Sequence, residues 1–293
     1  MSIIKRMVKY SQPLHLFLSA LAYTLGTGIA HYLNGTSNPI AFGLGLAYVI
    51  LLQFSAFLLV QYYRLPLEPL EDDQTQRLRT QLRIRLLQIS AAALTLAAAL
   101  TILLLYGRMA RLGADFFLVM IFVLLMAYAV PPVRLVDRGF GELVLAVLWA
   151  NFYPALAYLL QSEDFFRLLP LVTFPLTLLA LSYLLIYSFP HFATDLKYNR
   201  RSLLVQLTWP RAIPIHHFLV VAAYLLFAIA PLFGLAWELV RPVFLTLPLA
   251  GFQIYWLQRI SQGGRTLWNV LIPYAAAVFG LTLYLLAFTF WIR

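Results

Sequence analysis

The chain has no cysteine and little charge. Of its 293 residues, 11% are charged and 62% are hydrophobic, whereas an ordinary soluble domain carries about 25% charged residues. The lack of cysteine excludes a disulfide framework and any thiolate metal site. The lack of charge excludes a water-soluble enzyme and a disordered tail, because this much apolar surface cannot be hidden from water. Carboxylates are scarcer still, with 11 Asp and Glu against 21 Lys and Arg. A net charge of +10 in so apolar a chain points to the cytoplasmic loops of a membrane protein and away from nucleic acid as a partner. With so few carboxylates, any site that needs several can be checked residue by residue.

Long apolar runs are what the chain has in plenty. A spanning helix needs about 20 mainly apolar residues. Nine runs approach that length, at 14–33, 39–62, 86–106, 115–130, 142–160, 166–189, 213–234, 240–257 and 268–290. The expected fold is therefore all-α and integral to the membrane, with nine transmembrane helices in one domain over 1–293. The fourth and eighth runs are the shortest, and the eighth carries Pro242 and Pro248; short or broken spans occur where a helix tilts or lines a cavity. Tyr62, Tyr63, Tyr187, Trp209 and Trp291 fall at run ends, as in an interfacial aromatic belt.

Lys and Arg set the orientation. With nine spans, segments 1–13, 63–85, 131–141, 190–212 and 258–267 share one side and hold 16 of the 21 basic residues. The other side holds 5, namely Arg108, Arg111, Arg167, Arg241 and Arg293. The richer side is the cytoplasmic one, which puts the N-terminus in the cytoplasm and the C-terminus outside the cytoplasmic membrane. Lys5, Arg6 and Lys9 precede an apolar run that continues to about residue 32 without a polar break, so this run reads as a first span and not as a cleaved signal.

Two cytoplasmic segments are long, 63–85 and 190–212, and long loops tend to carry function. In the second, His191 and Asp195 are four residues apart and share a face if the segment is helical. That spacing suits either a base oriented by a carboxylate or a hydrogen-bonded pair closing a helix end. Arg64, Lys197, Arg200 and Arg201 are the best anion-binding candidates by position. His216 and His217 are adjacent and point to different helix faces, so they read as interface positions and not as a metal site.

The loop after the fourth run reads Tyr128-Ala-Val-Pro-Pro-Val-Arg-Leu-Val-Asp-Arg-Gly-Phe-Gly-Glu142. It resembles the same loop of the UbiA superfamily of intramembrane prenyltransferases, above all the naphthoate type. There a Tyr, a Pro-Pro pair, an Arg-Leu and an Arg-Gly-x-Gly-acid run recur. The helix from Tyr10 to Ala30, with Leu-Gly-Thr-Gly at 25–28, is similar to the family's first helix. The resemblance implies a central cavity surrounded by the nine helices and transfer of an isoprenoid chain from a prenyl diphosphate to a lipophilic, commonly aromatic, acceptor. It also implies two acidic motifs holding Mg²⁺ on the diphosphate, because a leaving group of that charge needs hard cations with oxygen ligands.

Residue by residue, the frame is kept and most metal ligands are not. The run from Leu51 to Arg64 lines up with the family's segment ending Asn-Asp-x-x-Asp, where this chain has Val60, Gln61 and Arg64. Glu68 stands where a further acidic residue often lies, with Glu71 a second position for it. In the second motif, Asp-x-x-x-Asp becomes His191 and Asp195, and the following Gly-Lys becomes Asn199 and Arg200 ahead of Arg201, Ser202 and Leu203. The resemblance thus leaves Asp195 and Glu68 as metal or phosphate-site carboxylates and Asp195 and His191 as catalytic candidates. Arg64, Lys197, Arg200, Arg201, Arg134 and Arg138 become the diphosphate contacts. Two functions remain open: a prenyltransferase with reduced or altered Mg²⁺ dependence, and an inactive relative that holds an isoprenoid lipid or quinone, or supports a membrane complex.

Overall fold

The computed structural model describes residues 8–35, 37–64, 68, 76–107, 109, 112–162 and 167–293. Among them every regular element is helical and no strand forms. The helices are α1 Pro13–Asn34, α2 Pro39–Arg64, α3 Gln76–Tyr106, α4 Leu112–Ala129, α5 Gly141–Val147, α6 Tyr153–Leu159, α7 Leu169–Ser188, α8 Phe192–Lys197, α9 Leu203–Ile229, α10 Trp237–Val240, α11 Leu247–Ser261 and α12 Trp268–Ile292. A π-type stretch at Leu148–Phe152 joins α5 to α6, so the two form one rod.

Seven of the described helical segments are long and apolar enough to cross a membrane. The other two expected spans are shorter or broken. The apolar helix Gly113–Ala129 falls below that length and is followed by Pro131 and Pro132. The run at 240–257 resolves into α10, a 3₁₀ turn at Arg241–Thr246 and the 15-residue α11. Pro242 and Pro248 explain the break: each lacks an amide donor and suits the first turn of a helix, not its interior. The segment 190–212, expected as a long loop, is mostly helical. It holds a 3₁₀ turn at Phe189–His191, then α8, then the start of α9, which bends at Thr208 (φ 60°, ψ 159°) two residues before Pro210.

The contacts close into a ring. α1 packs against α2, α6 and α12; α7 packs against α9 and α12; α2 packs against α3 and α4; and α11 joins α9 to α12. Close approach of α1 and α6 depends on Gly26, where an added Cβ would collide with the Pro154 carbonyl. α3 lies on the rim. Leu82, Leu86, Ala93, Ala97 and Leu104 are buried on its inner stripe, while Ile84, Leu96, Ile102 and Leu103 are exposed. An outer face of that composition suits lipid. The centre is aromatic: Trp149, Tyr153, Tyr183, Phe57 and Phe279 are all fully buried.

Candidate active site

A cavity of about 380 Å³ opens where α1, α2, α5 and α7 meet the 3₁₀ turn and α8. Its polar wall holds Arg64, Glu68, His191, Asp195, Arg200 and Ser202, and its drier wall includes His15, Val60, Tyr128 and Tyr187. The volume is in the range of small-ligand pockets, about 300–1,000 Å³.

Local structure explains why these side chains converge. α8 ends at Lys197, and the chain then reverses through Asn199 in the left-handed region (φ 52°). Asn tolerates that conformation without a glycine. The reversal brings the Arg200 amide to the Asp195 carbonyl at 2.9 Å and turns the Arg200 side chain back over the carboxylate. Arg200 Nη1 then donates to Asp195 Oδ1 at 2.9 Å, and Ser202 Oγ donates to Asp195 Oδ2 at 2.9 Å. On its other edge Arg200 pairs with Glu68, which also faces Arg64 Nε at 3.6 Å. The order in space is Arg64, Glu68, Arg200, Asp195, Ser202. Signs alternate through the four charged groups, and Arg200 stands between the two carboxylates.

Burial, and after it the positive charge of Arg64, lower the Arg200 guanidinium from the ordinary arginine range to about 9. It is therefore a cation at neutral pH. Its side chain is only 9% exposed, so the compensation by two carboxylates is what makes the buried charge tenable.

This arrangement bears on Mg²⁺. The two carboxylates that could have held it are already bridged by a guanidinium, and the second Asp195 oxygen accepts from the Ser202 hydroxyl. Among the described residues no group of three or more His, Cys, Asp or Glu could hold a metal ion. Position Glu71 lies outside the described residues. Among the described residues, those at the site fit a resident arginine and do not fit a divalent ion.

The expected site residues divide into two sets. Arg64, Glu68, His191, Asp195 and Arg200 share the cavity. His191 sits in the 3₁₀ turn with its ring 5.8 Å from that of Tyr187, while the Asp195 oxygens are taken by Arg200 and Ser202. Lys197, Arg201, Arg134 and Arg138 do not belong to its lining. Lys197 lies over the Tyr198 ring at 5.4 Å. Arg134 pairs with Asp137 at 2.8 Å and donates to the Tyr63 carbonyl at 3.2 Å. Arg138 donates to the Pro132 carbonyl at 2.6 Å, and the Arg201 amide donates to the Asp137 carbonyl at 3.1 Å. The three arginines shape and link the loops around the mouth. Gly139, at φ +82°, lets the reversal run against Gln206.

Two cavity residues escaped the sequence reading. Glu142 is buried; it accepts from Ser188 Oγ at 3.2 Å and from the Leu203 amide at 3.4 Å, tying α5 to α7 and α9. Its signal was present, as the last residue of the Arg-Gly-x-Gly-acid run. His15, 2% exposed, had no signal beyond being a lone histidine at the start of an apolar run.

No family model matches the chain, and no curated protein matches it in sequence. Solved structures do match in fold. A UbiA homologue from Archaeoglobus fulgidus bound to DMAPP and Mg²⁺ superimposes with a TM-score of 0.67 at 15% identity, over 96% of this chain and 98% of that one. The A. fulgidus homologue bound to GPP and Mg²⁺ gives 0.65 at 16% identity, over 98% and 99%. A digeranylgeranylglyceryl phosphate synthase structure gives 0.63 at 12% identity, over 100% and 98%. The chain is an integral membrane protein with the fold of UbiA-type membrane prenyltransferases.

Proposed function

We propose that this protein transfers an isoprenoid chain from a prenyl diphosphate to a lipophilic, aromatic acceptor within the bilayer, and that arginine takes the place of Mg²⁺ at the diphosphate. The observation that carries the reading is Arg200 held between Glu68 and Asp195 in the wall of a ligand-sized cavity, in a fold shared with structures that bind DMAPP and GPP. Arg200 and Arg64 contact the diphosphate oxygens, since a guanidinium fork matches phosphate geometry. Asp195, with Ser202, fixes the plane of the Arg200 fork, and Glu68 holds its other edge. His191 is a further donor at the mouth. Preorganised cations aimed at a departing diphosphate stabilise the charge that develops there. The aromatic wall keeps water from the allylic cation left behind.

We further propose nine membrane crossings, counting α4 and the α10–α11 segment, in one domain. The N-terminus lies in the cytoplasm and the C-terminus outside, as the 16-to-5 distribution of basic residues supports.

One observation favours a second reading. Glu68 and Asp195 already compensate Arg200, which leaves less free positive charge for a diphosphate than an unpaired arginine would. An inactive holder of a neutral isoprenoid lipid or quinone is compatible with that balance. Purified protein in lipid nanodiscs, given labelled geranyl diphosphate and a panel of aromatic acceptors, separates the two. Label transfer that persists in excess EDTA is expected from the first reading. No transfer to any acceptor, with an isoprenoid lipid co-purifying in the mass spectrum, sinks it in favour of the second.

A further inference from the structure

His15 lies in the first turn of α1 and lines the same cavity as Arg64 and Arg200. Its placement is specified from both sides. Gln12, left-handed at φ 50°, precedes Pro13 at the helix start. The Gln12 amide oxygen lies 2.5 Å from His15 Nδ1. An amide oxygen only accepts, so Nδ1 carries the ring proton and donates it. Nε2 is then the basic nitrogen. The Tyr183 hydroxyl, 2.9 Å from Nε2, donates to it. The ring is enclosed by aromatic neighbours: Tyr187 at 4.7 Å, Trp149 at 5.1 Å and Phe57 at 5.7 Å between ring centres. Any buried histidine needs both ring nitrogens hydrogen-bonded; what sets His15 apart is that it also borders the cavity.

We infer that His15 is the base that takes the acceptor's proton, directly or through the Tyr183 hydroxyl, so the acceptor belongs to the class that loses a proton as the new bond forms. The inference rests on the prenyl-transfer reading and names its acceptor chemistry: a phenol or an electron-rich ring. In the step, the C1–O bond of the prenyl diphosphate breaks and its electron pair leaves with diphosphate. An electron pair on the acceptor oxygen or ring carbon forms the new bond to C1. The proton displaced from that atom moves to His15 Nε2. The products are the prenylated acceptor, diphosphate and an imidazolium, which releases its proton to water through the cavity mouth. Removing a general base slows such a step by about 10²–10⁴-fold.

The test compares wild type, His15→Gln and Tyr183→Phe with labelled geranyl diphosphate and para-substituted phenols of graded acidity. Retention of labelled geranyl diphosphate by each variant verifies folding and the diphosphate site. The expected result for His15→Gln is a loss of about 100-fold or more with the weakly acidic phenols, shrinking towards none with the phenol already ionised at the assay pH. Tyr183→Phe follows the same trend with a smaller loss, and carries the test if His15→Gln does not fold. Equal loss across all phenols, or no loss, overturns the assignment while leaving the transfer reading intact. Wild-type transfer to no acceptor overturns the transfer reading, and the base falls with it.

Discussion

Arg200 decides the character of the site. It stands at a position where the resembled family has lysine, and the sequence reading made it one diphosphate contact among six. The structure gives it a different set of neighbours: two carboxylates, one five residues away in sequence and one from the chain after α2. Replacing it with methionine leaves buried Asp195 with only the Ser202 hydroxyl and Glu68 with only its 3.6 Å contact to Arg64. Breaking a buried pair in this way costs about 3–5 kcal/mol. Arg200→Met is therefore expected to unfold at a lower temperature in detergent than wild type, and Mn²⁺ should restore part of the loss in the variant while leaving wild type unmoved. An unchanged melting temperature would show that the guanidinium carries no such role. Asp195, Glu68, Arg64 and His191 were legible as site residues because a motif frame fixes their positions. The pairing that joins three of them was not, because alignment gives the place of a residue along the chain and not the atom its side chain reaches. His15 was illegible for a related reason: the partner that marks it, Tyr183, is 168 residues away.

At the scale of elements, apolar length read the helices well and proline punctuation read their ends. The two weakest runs in the sequence, the fourth and the eighth, are the two that fall short in the structure. What length could not show was the order inside 190–212, where polar composition suggested loop and short-range hydrogen bonds make helix. Nor could it show how closely α1 and α6 approach. Gly26 sits where any Cβ would meet the Pro154 backbone, whereas Gly43 on α2 has open space around it. Gly26→Ala must therefore shift one helix, at a cost of about 1–3 kcal/mol as for other overpacked sites, and Gly43→Ala should not. Thermal unfolding of the two variants in the same detergent checks this. Equal stability of both would show that the helices part without cost.

At the scale of the whole molecule, the charge asymmetry supports an orientation that the chain's composition makes easy to test. With no native cysteine, one introduced thiol reports one place. Arg138→Cys and Arg201→Cys are expected to resist a membrane-impermeant maleimide in intact cells and to react after lysis, whereas Trp237→Cys reacts in intact cells. The reverse pattern would invert the proposed topology. The scarcity of carboxylates also takes on a fuller meaning. Among the described residues four of them line the cavity, Glu68, Asp137, Glu142 and Asp195, and Arg200 bridges Glu68 and Asp195. The central claim is that a guanidinium occupies the place a divalent ion would take. Mn²⁺ binding followed by electron paramagnetic resonance on purified wild-type protein in nanodiscs tests it most directly. The account predicts no Mn²⁺ signal loss beyond that of empty nanodiscs; a stoichiometric bound Mn²⁺, lost on Asp195→Asn, would contradict it.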